Sequence, residues 1–327
     1  MTDLNLTMRD IYTARARIAP IVHKTPLVPS PELSELTSSE VNLKLECLQV
    51  TGSFKTRGAA NKVLSLESGV QKQGVVTVSS GNHGRALAYV ARHLGLRAVV
   101  CLYDTVPANK RDETRKLGAE VVVKGSTYEE ANEEAYRLVD KEGLAMIHPY
   151  DDPVVIAGQG TIGLELLEEF PGLDTVVVPL SGGGLLGGIA FALKSADPKI
   201  HVVGVMMERG PAMVESLRAG RIVDIVVEPT LADALAGRLP PNQYTFELVQ
   251  KTIDETVLVS EEEIAAAMAF ALERHHLVVE GSGAVGIAAL RAGKIQHLGK
   301  HVGVVISGAN VDMPLLLRVV QDHMDGR

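Results

Sequence analysis

Short valine-rich runs alternate with longer segments of helical character, and this alternation constrains the fold more than any other feature of the chain. Parallel strands need a crossover connection, usually a helix, so the alternation favours parallel sheets with helices on their faces. In the first series, strands are predicted at 74–79, 96–102 and 119–124, and helices at 84–94, 107–117 and 127–141.

A second, longer and less regular series follows from about residue 150. Its strands are predicted at 174–179, 200–206 and 302–306, and its helices at 160–170, 184–195 and 261–275. A chain of 327 residues is long enough for two domains. We therefore expect an α/β protein with a small domain at 74–150 and a large domain formed by 1–73 and 151–327.

The charge and composition of the chain argue against several classes of protein. A net charge of −8 does not suit a nucleic-acid partner, which requires a basic face. Two cysteines, Cys47 and Cys101, are too few for a disulfide framework. Residues 1–10 lack the apolar core of a signal peptide, and no apolar run reaches the roughly 18 residues of a membrane helix. We expect a cytoplasmic protein with no membrane partner.

The segment 51–59 (TGSFKTRGA) places Lys55 at the start of a predicted helix. Gly52 permits a tight turn, and Ser53 is a candidate N-cap. A helix N-terminus disfavours a second positive charge, so the Lys55 amine shifts toward the neutral form that reacts with an aldehyde cofactor. A surface lysine that begins an amphipathic helix is an equally good interpretation of this segment alone.

Two polar loops follow predicted strands and open predicted helices. Residues 79–84 (SSGNHG) offer backbone N–H groups, two hydroxyls and an amide, which suit a carboxylate or a phosphate. Residues 181–188 (SGGGLLGG) contain three adjacent glycines, which let the backbone wrap around an anion. The alternatives are a polar loop with a good N-cap for the first segment and a flexible glycine loop for the second.

The glycine loop also matches another kind of site. Gly182, Gly184 and Gly187 spell the Gly-x-Gly-x-x-Gly fingerprint, and Glu208 follows about where a ribose-binding acid could stand. A nucleotide-dependent dehydrogenase is therefore the main alternative from another enzyme class, although it leaves the Lys55 segment without a purpose. A non-catalytic binding protein is the other alternative, and the complete lysine motif argues against it.

A fourth segment, 305–313 (VISGANVDM), places Ser307 at the end of a predicted strand, where open α/β proteins bind ligands. Together the four segments resemble the serine/threonine dehydratase and serine racemase family of fold-type II pyridoxal-phosphate (PLP) enzymes. The resemblance runs in order through nearly the whole chain and includes 43–49 (LKLECLQ), 230–233 (TLAD) and 280–283 (EGSG). It implies a tryptophan synthase β-like fold of two open twisted sheets with helices on both faces.

The resemblance implies PLP as the cofactor and assigns roles around it. Lys55 would hold PLP and act as acid and base at the substrate Cα, and Ser80 matches the opposite-face base of racemases. Cofactor contacts are implied for Phe54, Lys55, Asn82, Ser181, Gly182, Gly183, Gly184, Leu185 and Ser307. Contacts with the substrate carboxylate are implied for Ser79, Ser80, Asn82 and His83.

The implied reaction eliminates the β-hydroxyl of a 3-hydroxy amino acid as water, and hydrolysis of the resulting aminoacrylate-type product then gives a 2-oxo acid and ammonia. A neutral Ser307 hydroxyl at the pyridine nitrogen suits elimination, because it does not enforce a protonated ring. An amino-acid racemase of the serine or aspartate type is the alternative on the same site. The expected partners are a small-molecule amino acid and, by analogy only, a second copy of the chain in a homodimer.

The chain departs from the family pattern at two places. Many relatives bind a divalent cation where this chain has Met206 and Ala212, and Glu208 is displaced, so we expect no metal there. Arg85 and Arg238 stand beside the expected substrate pocket, and an arginine can pair with a distal carboxylate. They favour 3-hydroxyaspartate, or an acidic substrate linked to hydroxyectoine breakdown, unless both arginines point to solvent or make surface ion pairs.

Overall fold

The computed structural model describes residues 5–106 and 108–325, so residues 1–4 and Pro107 of the predicted helix 107–117 lie outside the described residues. Within these ranges, ten strands form two sheets. The strands are β1 (Leu27–Pro29), β2 (Glu40–Lys44), β3 (Val75–Val78), β4 (Ala98–Leu102), β5 (Glu120–Val123), β6 (Ala145–Met146), β7 (Thr175–Pro179), β8 (His201–Met207), β9 (Glu255–Val259) and β10 (His301–Val305).

The larger sheet has six strands in the order β1-β2-β10-β7-β8-β9, and the smaller sheet has four in the order β5-β4-β3-β6. Neighbouring strands are parallel except β1 and β2, which are antiparallel. Strands β3, β4 and β7 are buried along their whole length, as expected for parallel strands covered on both faces. The predicted α/β class with two sheets is confirmed.

Helices connect the strands and cover the sheets. They are α1 (Met8–Ile18), α2 (Pro31–Thr37), α3 (Lys55–Ser65), α4 (Ser68–Gln73), α5 (Asn82–Leu94), α6 (Ala108–Lys116), α7 (Tyr128–Glu142), α8 (Pro153–Glu169), α9 (Gly184–Ala196), α10 (Ala212–Ala219), α11 (Tyr244–Thr252), α12 (Glu261–His275), α13 (Gly281–Arg291) and α14 (Met313–Asp325). Among the described residues, no helix is both long and apolar enough to span a membrane.

Helix α12 has the predicted bounds, whereas α8 begins at Pro153 instead of residue 160. The Asp152 carboxylate accepts hydrogen bonds from the N–H groups of Val154 at 2.8 Å and Val155 at 3.2 Å. Proline is also favoured in the first turn of a helix. This N-terminal signal outweighs the glycines that follow it, which lower helix propensity.

Helices α3 and α8 touch backbone to backbone. A Cβ atom on Gly158 would lie 2.7 Å from the Cα of Gly58 and 2.7 Å from the carbonyl oxygen of Arg57. A Cβ atom on Gly58 would lie 2.9 Å from the carbonyl oxygen of Val155. Both positions therefore require glycine, because only the absence of a side chain lets α8 lie this close to α3, the helix that begins at Lys55.

The strands of the smaller sheet all lie within 74–150, the segment predicted as the small domain. The buried core of this sheet also includes Ile18 from α1 and Ala59 from α3. Residues before position 74 therefore pack against both sheets, since β1 and β2 belong to the larger one. The division into domains stays a prediction.

A buried cluster of charges surrounds the first turn of α3. The Arg57 guanidinium, 1% exposed, donates to both oxygens of Glu46 at 2.8 Å and to those of Glu165 at 2.6 and 2.8 Å. The buried Lys44 ammonium lies 2.8 Å from the same Glu165. Two-pronged pairs hold a guanidinium in one orientation. The cluster therefore fixes α3 against α8 and against the turn that contains Glu46.

Replacing Arg57 with Met should lower the free energy of unfolding by about 3–5 kcal/mol, because the buried Glu46 loses its ion pair and Glu165 retains only the one with Lys44. Replacing Arg97, whose ion pairs with Glu120 and Glu142 lie at the surface, with Met should cost no more than about 1 kcal/mol. Unfolding by guanidinium chloride measures both values. Equal destabilisation of the two variants would contradict the role given to the cluster.

Candidate active site

A cleft with a volume of about 1500 Å³ lies where β3, β7 and β10 end. The carboxyl ends of parallel strands are the usual ligand site of open α/β sheets. All of the site residues predicted from the sequence line this cleft: Phe54, Lys55, Ser79, Ser80, Asn82, His83, Arg85, Ser181, Gly182, Gly183, Gly184, Leu185, Arg238 and Ser307. The fold therefore brings together segments that are far apart in the chain.

Lys55 is the first residue of α3 and faces the cleft. Its Nζ donates a hydrogen bond to the carbonyl oxygen of Pro149 at 2.8 Å and lies 5.2 Å from the centre of the Phe54 ring. Burial lowers the pKa of Lys55 to about 8, although the Glu280 carboxylate acts in the opposite direction. More neutral amine is therefore present near pH 7 than in an ordinary lysine.

The expectation that Ser53 caps α3 is wrong. Phe54 occupies the N-cap position without a side-chain hydrogen bond, and the Ser53 hydroxyl is buried with no partner in the described part of the chain. Backbone contacts hold this segment instead. The Phe54 N–H donates to the carbonyl oxygen of Ser307 at 3.1 Å, and Ser53 forms an antiparallel bridge with Gly308. These contacts place Ser307 directly beside the lysine segment.

Asn82 is the first residue of α5 and connects two distant segments. Its Nδ2 donates to Glu280 Oε1 at 2.8 Å, and its Oδ1 accepts from Asn310 Nδ2 at 2.6 Å. Burial raises the pKa of Glu280 to about 8, against the lowering effect of the hydrogen bond with Asn82. Asn82 is thus held in a network that also lines the cleft.

Glu280 and Asn310 are not among the site residues predicted from the sequence. Glu280 lies 198 positions from Asn82 in the chain, and only the fold brings the two together. Both residues lie in segments quoted for the family resemblance, 280–283 (EGSG) and 305–313 (VISGANVDM), but the sequence assigns neither of them a role.

The glycine-rich loop after β7 packs tightly against Tyr150. Gly183 adopts a left-handed conformation with φ of 87°. A Cβ atom on Gly182 would lie 2.6 Å from the Tyr150 ring, and one on Gly184 would lie 2.8 Å from its carbonyl oxygen. The first N–H groups of α9, which begins at Gly184, have no partner within the helix. The loop therefore has the form of an anion site at a helix N-terminus.

Tyr150, which sequence patterns do not single out, is held on two sides. Its hydroxyl accepts a hydrogen bond from Gln243 Nε2 at 2.7 Å, and the His148 ring meets its ring edge-on at 4.8 Å. The His148 Nδ1 accepts from the Asp151 N–H at 2.8 Å. Tyr150 is thus a fixed support for the glycine loop, and no feature of its own sequence neighbourhood indicates that contact.

His83 is buried beside the serine loop. Its Nε2 bonds to the carbonyl oxygen of Ile147 at 3.0 Å, and its Nδ1 is buried with no partner among the described residues. Burial and the nearby Lys55 lower the pKa of His83 to about 3, so the ring is neutral at pH 7. A carbonyl oxygen can only accept, so Nε2 carries the proton and Nδ1 is left as an acceptor.

Arg85 and Arg238 both line the cleft, and each pairs with a carboxylate of the protein. Arg85 Nη1 pairs with Glu113, while its Nε is buried with no partner in the described ranges. Arg238 Nε lies 3.5 Å from Asp224 Oδ1, and its side chain is 68% exposed. Water screens such a pair. The geometry of Arg238 agrees with a surface ion pair.

The position of the cation site of many relatives holds buried apolar side chains in this protein. Met206 and Ala212 are each 1% exposed and carry no carboxylate. Glu208 Oε1 lies 3.2 Å from Lys294 Nζ. Glu208 is also the candidate ribose-binding acid of the dinucleotide fingerprint, and its carboxylate is therefore already paired with Lys294.

Comparison with known proteins shows the family that the sequence resemblance indicates. The sequence matches the family described as "Pyridoxal-phosphate dependent enzyme" over residues 18–308. It is 46% identical over 315 residues to L-threonine ammonia-lyase of Thermotoga maritima, covering 96% of this chain and 78% of that protein. This match contradicts the fingerprint-based alternative of a nucleotide-dependent dehydrogenase.

Two solved structures share the fold over almost their whole length. Maize serine racemase aligns with a TM-score of 0.91 and 33% identity, covering 98% of each chain. The threonine deaminase of T.th. aligns with a TM-score of 0.88 and 40% identity, covering 94% of this chain and 99% of that one. The protein therefore belongs to the fold-type II family of PLP-dependent enzymes and uses PLP as its cofactor, as the sequence resemblance predicts.

Proposed function

We propose that this protein is a PLP-dependent ammonia-lyase that converts a 3-hydroxy amino acid into a 2-oxo acid and ammonia. One observation carries the proposal: the Lys55 amine lies in a cleft, bonded to Pro149, with its pKa lowered to about 8. An amine of this kind transfers protons efficiently near neutral pH. The relatives named L-threonine ammonia-lyase and threonine deaminase support elimination as the reaction.

The residues that line the cleft fit PLP. Cβ atoms would fill the space at Gly182 and Gly184, and the start of α9 there suits a phosphate. In the proposed complex, Lys55 would bind the aldehyde group of the cofactor and Phe54, Asn82 and Ser307 would contact its ring. The phosphate would be held by Ser181, Gly182, Gly183, Gly184 and Leu185. When bound, PLP stabilises the negative charge that develops at the substrate Cα.

Lys55 removes the proton from the substrate Cα in the proposed reaction. Only a neutral amine can accept this proton, and burial supplies a larger neutral fraction than an exposed lysine has. The hydrogen bond to Pro149 holds Nζ in the cleft. The protonated amine can then donate its proton to the departing 3-hydroxyl group, which leaves as water, or return it to the substrate Cα on the same face.

The substrate carboxylate binds at the start of α5 in this proposal. Ser79, Ser80 and Asn82 line the cleft there, next to N–H groups at a helix N-terminus. The free acceptor Nδ1 of His83 suits a donor, such as an ammonium or hydroxyl group, better than it suits a carboxylate. We therefore keep His83 as a substrate contact but assign it a donor group of the substrate.

The side chain of the substrate is the least constrained part of the proposal. Arg238 pairs with Asp224 and Arg85 pairs through Nη1 with Glu113, so both arginines already have a carboxylate partner within the protein. Together with the names of the relatives, this supports threonine or serine over 3-hydroxyaspartate. The buried Nε of Arg85 is the observation that keeps an acidic substrate open.

Racemisation of an amino acid is the second candidate function. Ser80 lines the same cleft as Lys55, and its hydroxyl could protonate the opposite face of the substrate Cα. The similarity to maize serine racemase supports this alternative. We also propose that the protein is cytoplasmic and that it forms a homodimer. Sedimentation analysis of the holoenzyme would test the homodimer.

Release of 2-oxo acid should be fastest with threonine or serine and slower with threo-3-hydroxyaspartate. Replacing Lys55 with Ala should abolish it. Replacing Arg238 with Ala should change kcat/KM for threonine by less than about fivefold, because its ion pair is exposed. Arg218, which pairs with Glu215 at the surface, provides a matched Arg-to-Ala control.

Two outcomes of the same assay would contradict the proposal. If 3-hydroxyaspartate is the best substrate and, of the two arginine variants, only Arg238→Ala loses activity toward it, the preference for a threonine or serine side chain is wrong. If the D isomer forms faster than the 2-oxo acid, and a Ser80→Ala variant stops its formation, the protein is primarily a racemase.

The rate at which the apoenzyme captures PLP should rise with pH through about 8 and level off above it. The pKa of Lys55 is lowered to about 8, and the neutral amine, which dominates above that pH, is the reactive form. Stopped-flow absorbance across a pH series measures this rate. A midpoint near the ordinary lysine value of about 10.4 would contradict the lowered pKa.

Replacing Gly184 with Ala should weaken PLP binding roughly tenfold, because the added methyl group overpacks a rigid site at a cost of about 1–3 kcal/mol. Its Cβ would lie 2.8 Å from the Tyr150 carbonyl oxygen. Gly69→Ala is the control, since no heavy atom lies within 4 Å of a Cβ at that position. Absorbance titration of the apoenzyme compares them, and equal affinities would exclude the proposed phosphate cradle.

A further inference from the structure

Two histidines and a glutamate meet at the end of the larger sheet that lies away from the cleft. His201 and Glu255 are the first residues of the parallel neighbours β8 and β9, and His297 lies in the connection between α13 and β10. Val203 is the partner of Glu255 in the register, so His201, two residues before Val203, projects from the same face of the sheet as Glu255. The fold therefore directs these side chains toward one point.

The distances among the three side chains suit a shared metal ion. Glu255 Oε2 lies 3.2 Å from His201 Nε2 and 3.7 Å from His297 Nδ1, and one ligand atom from each residue lies within 4.8 Å of the other two. Ligand atoms bound to a tetrahedral zinc ion at about 2.0–2.2 Å lie about 3.2–3.6 Å from one another. The separation of 3.2 Å between Glu255 and His201 falls within this range, and that of 3.7 Å between Glu255 and His297 lies just above it.

Backbone groups hold the central carboxylate in place. Glu255 Oε1 accepts from the Gln296 N–H at 2.7 Å, and Oε2 accepts from the His297 N–H at 3.3 Å. These bonds fix both the carboxylate and the loop that carries His297. The Glu255 side chain is only 11% exposed, so its position does not depend on a flexible surface rotamer.

A second carboxylate lies behind His201. Asp254 Oδ2 is 4.0 Å from His201 Nδ1 and is itself held by the Val202 N–H at 2.8 Å and by Lys194 Nζ at 2.6 Å. A histidine that binds a metal usually has a carboxylate or carbonyl group near its other ring nitrogen. His201 Nε2 faces Glu255 Oε2 at 3.2 Å on the other side of the ring, so a metal ion bound there would replace the proton that these two atoms share.

We propose that His201, Glu255 and His297 form a binding site for a divalent transition-metal ion of the zinc class. Two imidazoles and one carboxylate are a ligand set that zinc accepts, with water in the fourth position. The exposure of His297, at 75%, leaves that position open to solvent. No residue of this set takes part in the proposed ammonia-lyase reaction.

The site has a structural consequence rather than a catalytic one. The cleft lies at the carboxyl ends of the strands, whereas His201 and Glu255 begin theirs, and a strand of seven residues spans about 20 Å. The ion would connect β9, the edge strand of the larger sheet, to the loop before β10. Metal binding to the folded state stabilises it by mass action.

Calorimetric titration of the metal-free, PLP-loaded enzyme with Zn²⁺ tests this proposal. We expect one Zn²⁺ per chain, with an affinity in the micromolar range or tighter, and a rise in Tm on addition of Zn²⁺. Loss of an outer-shell partner already lowers metal affinity about 10–100-fold, so His297→Ala and Glu255→Gln should each lower it at least about tenfold. The rise in Tm at a given Zn²⁺ concentration should become smaller in step with the affinity.

His93→Ala is the matched control, because His93 is an exposed histidine outside the set. It should bind Zn²⁺ as the wild type does. The proposal fails if the wild-type enzyme binds no Zn²⁺ in the titration, or if the His297 variant retains wild-type affinity and the same rise in Tm. Circular dichroism and the cofactor absorbance report whether each variant is folded and loaded, independently of turnover.

Discussion

The ion pairs of Arg57 hold together three segments that meet at the first turn of α3. Glu46 precedes the lysine segment, Arg57 follows Lys55 by two positions, and Glu165 belongs to α8. Charges buried to this degree are tolerated only while their partners stay in place. Any displacement of α3 that moved the Lys55 amine would also separate these charges. The position of the amine is thus coupled to the stability of the fold.

The cleft depends on both sheets at once. The glycine loop and Ser307 follow strands of the larger sheet, whereas Asn82 follows a strand of the smaller one. The hydrogen bonds of Asn82 with Glu280 and Asn310 join the two sides. In a parallel sheet the carboxyl ends of the strands lie at the same edge, so the loops that follow these strands can line one cleft. Lys55 lies at the junction through its neighbour Phe54, which is bonded to Ser307.

Local sequence signals predict the parts of this protein that are determined locally. The valine-rich run at 174–179 and the glycines after it mark a strand, a loop and a helix start, and all three are present. Glu280 and Tyr150 escape such reasoning, because their importance comes from contacts with Asn82 and the glycine loop, far away in the chain. The prediction that Ser53 caps α3 is wrong, because Ser53 pairs through its backbone with Gly308.

The contact between α3 and α8 restricts how segments can be exchanged among related enzymes. At Gly58 and Gly158 the fit depends on the absence of side chains, so each helix is compatible only with a partner that leaves the same space. A chimaera joined between these positions takes Lys55 and α8 from different parents. Its success depends on this one contact more than on the overall identity of the parents, since a single added methyl group would collide with the backbone of the other helix.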